Sequence, residues 1–72
     1  KMSTATINAK RIGEKLIALR GDKTIADTAK CLKISPSALS MYENGRRIPR
    51  DDTKIVIAHH YGVSIDELFF EP

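Results

Sequence analysis

Three guanidinium groups fall within five residues, at Arg46, Arg47 and Arg50, directly after the stretch SPSALSMYENG. Such groups are permanent cations with forked donors that fit phosphate oxygens. The stretch before them reads as a helix over residues 36–44. Ser35 is placed to cap it, Pro36 suits a first turn that needs no backbone donor, and Gly45 suits a left-handed stop. At ~100° per residue, Ser37, Ser40, Met41 and Asn44 share one face, and Ala38, Leu39 and Tyr42 the opposite one. One face is core and the other is free to touch something. The outward face carries hydroxyls, a thioether and an amide but no acid. Beside three arginines, this is the layout of a helix that enters the major groove of DNA between phosphate anchors.

Other chemistry is poorly provided for. The sequence has no glycine-rich phosphate loop, no histidine paired with a nucleophile and no carboxylate pair placed for acid-base work, so it does not read as an enzyme. His59 and His60 are neighbours on a helix and diverge by ~100°, so they do not chelate one ion. No metal, cofactor or small-molecule site is expected. The single Cys31 forms no internal disulfide, which fits a reducing, cytoplasmic setting. Its register places it inside a helix as a buried small hydrophobe. No apolar run approaches the ~20 residues that span a bilayer, and there is no signal-peptide pattern.

The elements that must position the arginine-flanked helix are all helical. Residues 1–6, KMSTAT, have no periodic signal and read as a disordered N-terminal segment. Lys1 ahead of Met2 reads as a remnant foreign to the native chain. Residues 7–72 read as one domain, and 72 residues leave room for one small core. Ala9, Ile12, Leu16 and Leu19 recur at three and four, predicting a helix over residues 8–20. Thr24 caps a second helix, with Asp27 in the capping-box position and Ile25, Thr28, Ala29 and Leu32 on its buried side. Lys33 and Ile34 form the turn into the third. Asp51 and Asp52 favour the start of a fourth helix that runs to Tyr61 and stops at Gly62. Ser64 to Glu67 is a capping box opening a short fifth helix that ends with Leu68, Phe69 and Phe70. Five short helices make a compact all-α domain.

Charge is polarised along the chain. Residues 1–50 hold 11 Lys/Arg against 4 Asp/Glu, and residues 51–72 hold 1 against 5, so the net +3 conceals a basic body and an acidic end. A basic body suits a polyanion, but it also simply solubilises a small surface.

The segments IGEKLIALR, ISPSALSMYENGRRIPR and YGVSIDELF, in this order from Ile12 to Phe70, closely resemble the Xre family of lambda-repressor-like, Cro-type helix-turn-helix domains. The resemblance implies that fold, and a DNA-binding transcriptional regulator, commonly a repressor, acting on an operator. By this likeness Pro36, Ser37, Ser40, Met41 and Asn44 face base edges or adjacent backbone, and Arg46 and Arg47 meet phosphates. Thr24, Ile25, Lys33, Ser35 and Arg50 complete the expected DNA-facing set. Arg20 and Glu43 match an internal ion pair tying the first helix to the end of the third, a structural role. The chain departs from the family at two places: Ile25 replaces a usual Gln, and Lys33 replaces a usual Gly in the turn. Lys33 therefore either takes positive φ at a strain of ~1 kcal/mol or the turn avoids it. The outward row lacks the Gln or Arg that makes bidentate base contacts. Its serines read permissively and Met41 offers apolar contact, for instance to a thymine methyl.

Ile55 and Val56 project off the core stripe of the fourth helix. Either the fifth helix covers them, or with Phe69 and Phe70 they form a homodimer contact. A dimer would place two recognition helices ~34 Å apart on an inverted-repeat operator. The alternative function is a protein-interaction module, an antitoxin or adaptor, on the same scaffold.

Overall fold

The computed structural model describes residues 8–70, and the expectations for residues 1–6 fall outside them. Five helical elements follow one another: α1 (Ala9–Arg20), α2 (Ile25–Leu32), α3 (Pro36–Glu43), α4 (Asp51–Tyr61) and α5, a single π-helical turn (Asp66–Phe70). No strand occurs among the described residues.

Side chains mark most of the helix starts. Asn8 Oδ1 accepts from the Arg11 N–H at 3.1 Å, Thr24 Oγ1 from Asp27 at 3.0 Å and Ser35 Oγ from Ala38 at 3.0 Å. Each satisfies an amide that the helix itself leaves without a partner. Before α5 the Ser64 hydroxyl accepts from the Glu67 N–H at 3.0 Å, and the Glu67 carboxylate accepts from the Ser64 N–H at 3.2 Å. The capping box is closed from both sides.

One stop motif is used three times. Lys33, Gly45 and Gly62 take φ of 60°, 75° and 68°. In each case the next amide reaches back across the turn, Ile34 to the Ala29 carbonyl, Arg46 to Met41 and Val63 to Ala58, at 3.0–3.1 Å. This is the Schellman arrangement, and Ile34 and Val63 add its usual apolar contact by packing against the core. Two of the three positions hold glycine, which takes positive φ without strain. Lys33 adopts the left-handed conformation despite its Cβ, which costs ~1 kcal/mol.

Leu16, Leu39, Ile57 and Phe69 are fully buried at the centre, with Ile12, Ala29, Leu32, Tyr42, Ala58 and Leu68 around them. Every helix contributes. The closest approach is between α1 and α3, where Gly13 is buried and a Cβ added there would run into the carbonyl of Glu43.

Two expectations are corrected. Cys31 is exposed, because α2 turns Thr28, Ala29 and Leu32 to the core and leaves Cys31 off that stripe. Phe69 is 2% exposed and belongs to the core beside Leu68, so it is not available to a second chain. Lys54 is also buried. Its ammonium lies 5.0 Å from the ring centre of Phe70 and 5.8 Å from that of Phe69, with an Asp51 carboxylate oxygen at 3.5 Å. The rings and the carboxylate offset the loss of water around the charge.

Candidate nucleic-acid interface

α3 is fixed from behind. Leu39 and Tyr42 are buried in the core, Ala38 is half-buried against it, and the last turn is clamped by an ion pair. Arg20 Nε donates to Glu43 Oε2 at 2.7 Å and a second guanidinium nitrogen donates to Oε1 at 3.0 Å. The Glu43 side chain is only 4% exposed. A third donor of Arg20 holds the Lys23 carbonyl at 2.6 Å, so one guanidinium joins α1, the loop before α2 and the end of α3. The hydrogen bond to Glu43 raises the pKa of Arg20 above its already high ordinary value, against a smaller opposing effect of burial. Glu43 is thus neutralised on the inner side of α3 and turned away from the outer face.

Tyr61 lies close enough to this pair to feel both charges. Burial pushes its phenol above the ordinary value of 10.0, Glu43 adds to the shift and Arg20 opposes it. Its hydroxyl is buried without a hydrogen-bond partner.

The outer face of α3 exposes Pro36, Ser37, Met41 and Asn44, and Ser40 is half-buried among them. Asn44 turns its side-chain amide back to the Ser40 hydroxyl at 3.4 Å, a long contact. Met41 is 40% exposed. Gly45 then reverses the chain, and Arg46, Arg47 and Arg50 are all exposed along the segment that follows. Arg50 lies 3.9 Å from Asp52, but both side chains are more than three-quarters exposed, so the pair is loose and the cation stays accessible.

Thr24 and Ser35 are exposed, with their hydroxyls accepting from their own helices. Lys33 is exposed on the turn between α2 and α3. Ile25 differs: it is half-buried and packs against the core, so its side chain is withdrawn from the surface. Only the backbone amide at the start of α2, which lacks an intrahelical partner, remains for an anion there.

Two contributors escape linear reading. A Cβ on Gly45 would stand 3.0 Å from the Cα of Lys10, so the first turn of α1 lies against the exit from α3. Lys10, exposed, thereby extends the basic edge. Gly13 lets α1 and α3 touch backbone to backbone. No spacing rule links Lys10 to Arg46, although a lone glycine inside a helical pattern is itself a sign of close packing.

Among the described residues no cluster of three or more His, Cys, Asp or Glu could hold a metal ion, and no helix is long and apolar enough to cross a membrane. His59 and His60 are exposed, the latter with its ring 4.8 Å from that of Tyr61.

This geometry, two short helices joined by a tight turn with the second outward, coincides with the match of the helix-turn-helix family model to residues 15–68. The chain belongs to the helix-turn-helix family, in its Cro/C1, Xre-like branch. The helix-turn-helix domain is similar to the clp gene regulator ClgR from C. glutamicum, with 26% identity and a TM-score of 0.71 over 88% of this chain and 84% of that one. It is similar to the DNA-binding domain of BldD, with 26% identity and a TM-score of 0.66 over 94% and 99%. The SOS-response transcriptional repressor LexA from Eubacterium rectale shares the fold, with a TM-score of 0.81 over 89% and 70% at 21% identity. No curated protein matches the chain.

Proposed function

We propose that this domain binds double-stranded DNA as a sequence-specific transcriptional regulator, with α3 in the major groove and Arg46, Arg47, Arg50 and Lys33 on the phosphates. One observation carries the reading: the exposed strip of Pro36, Ser37, Met41 and Asn44 has no acid on it, is braced from behind by the Arg20–Glu43 clamp and is followed at once by three exposed arginines. Phosphate contacts of this kind set register and supply most of the affinity, and the groove-facing side chains supply the choice of site. The names of ClgR, BldD and LexA, regulators or a DNA-binding domain, support the same role. Repression is the simpler outcome, since a bound domain excludes polymerase without any further surface.

Homodimerisation through Ile55, Val56 and Phe70 belongs to this proposal. These residues are 56%, 46% and 38% exposed and apolar; Ile55 and Phe70 line one shallow depression, and Val56 lines another beside Cys31 and Ile34. Two copies joined there gain affinity by reading two half-sites, and the operator is then an inverted repeat.

Titrating binding to a random duplex between ~50 and ~200 mM salt tests the reading, because counterion release makes phosphate-anchored binding weaken steeply. Arg46→Ala or Arg47→Ala should weaken binding to all sequences and flatten the salt slope by about one unit. No measurable association at low salt would overturn it in favour of a protein-interaction module.

A further inference from the structure

The strip on α3 is unusual in what it can discriminate. Ser37 and Ser40 carry hydroxyls, which donate or accept as the partner requires, so they meet adenine N6 and thymine O4 equally well. Asn44, the one amide on the strip, directs its Nδ2 back to Ser40 at the helix end. No Gln, Arg or Lys faces outward from α3, and the single amide stands at its last turn. What does face outward is Met41, 40% exposed on the strip and one turn from Ser37, a flexible thioether side chain outside the core cluster. In the major groove the apolar feature is the C5-methyl group of thymine, which cytosine carries only when methylated.

Resting on the DNA-binding reading above, we infer that α3 selects its operator by the C5-methyl groups of pyrimidines, with Met41 as the side chain that reads them, and not by hydrogen bonding to base edges. Ser37, small and one turn away, leaves room for the base edge to approach. Pro36 widens the apolar surface at the start of the helix. Discrimination then scales with methyl burial and not with the pattern of donors and acceptors.

The test uses duplexes selected from a random pool by this protein. Each thymine of the best duplex is replaced singly by deoxyuridine, which lacks the methyl but pairs identically, and binding is followed by fluorescence anisotropy at fixed salt. At one or two positions per half-site affinity should fall about fourfold, the factor equivalent to ~0.8 kcal/mol for one buried methyl group. At those positions 5-methylcytosine should bind better than cytosine. Met41→Ala should bind thymine and uracil duplexes alike, and Met41→Leu should restore the difference. Equal affinity for uracil at every position, or a thymine preference that survives Met41→Ala, would overturn the inference while leaving salt-dependent DNA binding in place. Absence of binding to any duplex at low salt would instead remove the reading beneath it, and the inference with it.

Discussion

Replacing Gly13 by alanine sets two effects of opposite sign against each other at one atom. On helix propensity alone, alanine inside α1 stabilises by about 0.8–1 kcal/mol over glycine. Here the new Cβ faces α3 directly: the carbonyl carbon of Glu43 would stand 2.8 Å away and the carbonyl oxygen of Tyr42 3.0 Å. Carbon atoms rest at about 3.5–4.0 Å from one another, so the last turn of α3 must retreat by roughly 0.7 Å or more. The nearest atoms are all backbone, and none can rotate aside. Overpacking of this kind costs about 1–3 kcal/mol, so the net effect is a loss of up to about 2 kcal/mol. That is a large share of the roughly 4–11 kcal/mol usual for a chain of 72 residues. Urea denaturation followed by circular dichroism measures it, as a lower midpoint at unchanged slope. Ala18→Gly, at an exposed position of the same helix, supplies the propensity difference without the clash. DNA affinity should fall further than the loss of folded protein explains, because the strip moves relative to Arg46. If Gly13→Ala gains the stability that Ala18→Gly loses, backbone contact does not hold α3 in place.

Arg20→Ala should lower the urea midpoint by leaving the Glu43 carboxylate buried without its partner, whereas Arg20→Met with Glu43→Leu should recover most of the loss. Equal losses in the single and double variants would show that the clamp itself is not what matters. Lys33→Gly should stabilise the fold by about 1 kcal/mol through relief of the left-handed strain, while reducing the salt dependence of DNA binding. A fall in stability would mean that the lysine side chain contributes more than its backbone costs. Tyr61→Phe should keep or raise the melting temperature, since the hydroxyl is buried without a partner. Its ionisation also matters at high pH. With a folded pKa above the ordinary 10.0, the stability linked to the neutral phenol is fully present below pH 10 and is lost as pH rises through the folded pKa. Alkaline melting curves should therefore fall less for Tyr61→Phe than for the parent.

What the sequence discloses here is local, and what it conceals depends on which element covers which. Caps at Thr24, Ser35 and Ser64 and stops at Gly45 and Gly62 are short-range chemistry, so residue type and spacing suffice to place them, whereas Asn8, read as the first helical residue, is the cap of α1. The outward strip of α3 follows from the helical angle alone. The same angle cannot say whether a neighbouring element lies over a given stripe. Cys31 sits on a helix too short to bury more than one side, and it ends exposed. Phe69 and Phe70 are adjacent and chemically alike, yet the π-helical turn sends one to the centre and leaves the other at the rim. Lys54 is buried because the Phe69 and Phe70 rings of α5 lie against it, a meeting that no pattern within α4 announces. Ile25 illustrates the converse. At a position where the family resemblance implies a DNA contact, its side chain follows ordinary hydrophobicity into the core.

The positioning of α3 bears on how strongly so small a domain can hold DNA. Binding costs about 0.5–1.5 kcal/mol for each rotamer-rich side chain immobilised, and more where backbone must be ordered as well. In this fold that backbone cost falls on folding and not on binding. Gly13 brings α1 within backbone contact of α3, the Arg20 guanidinium fixes the final turn through Glu43 and the preceding loop through Lys23, and the left-handed Gly45 sets where Arg46 begins. The remaining freedom resides in the exposed side chains of Arg46, Arg47, Arg50 and Met41; on the reading proposed above, the arginines meet phosphates, which tolerate small errors of position, and the thioether adapts to a methyl group. If α3 reads DNA as proposed, a strip poor in hydrogen-bond specificity depends on rigidity of the helix that carries it: with few directional contacts to correct a misplaced approach, register on the duplex then comes from the braced backbone and the phosphate anchors.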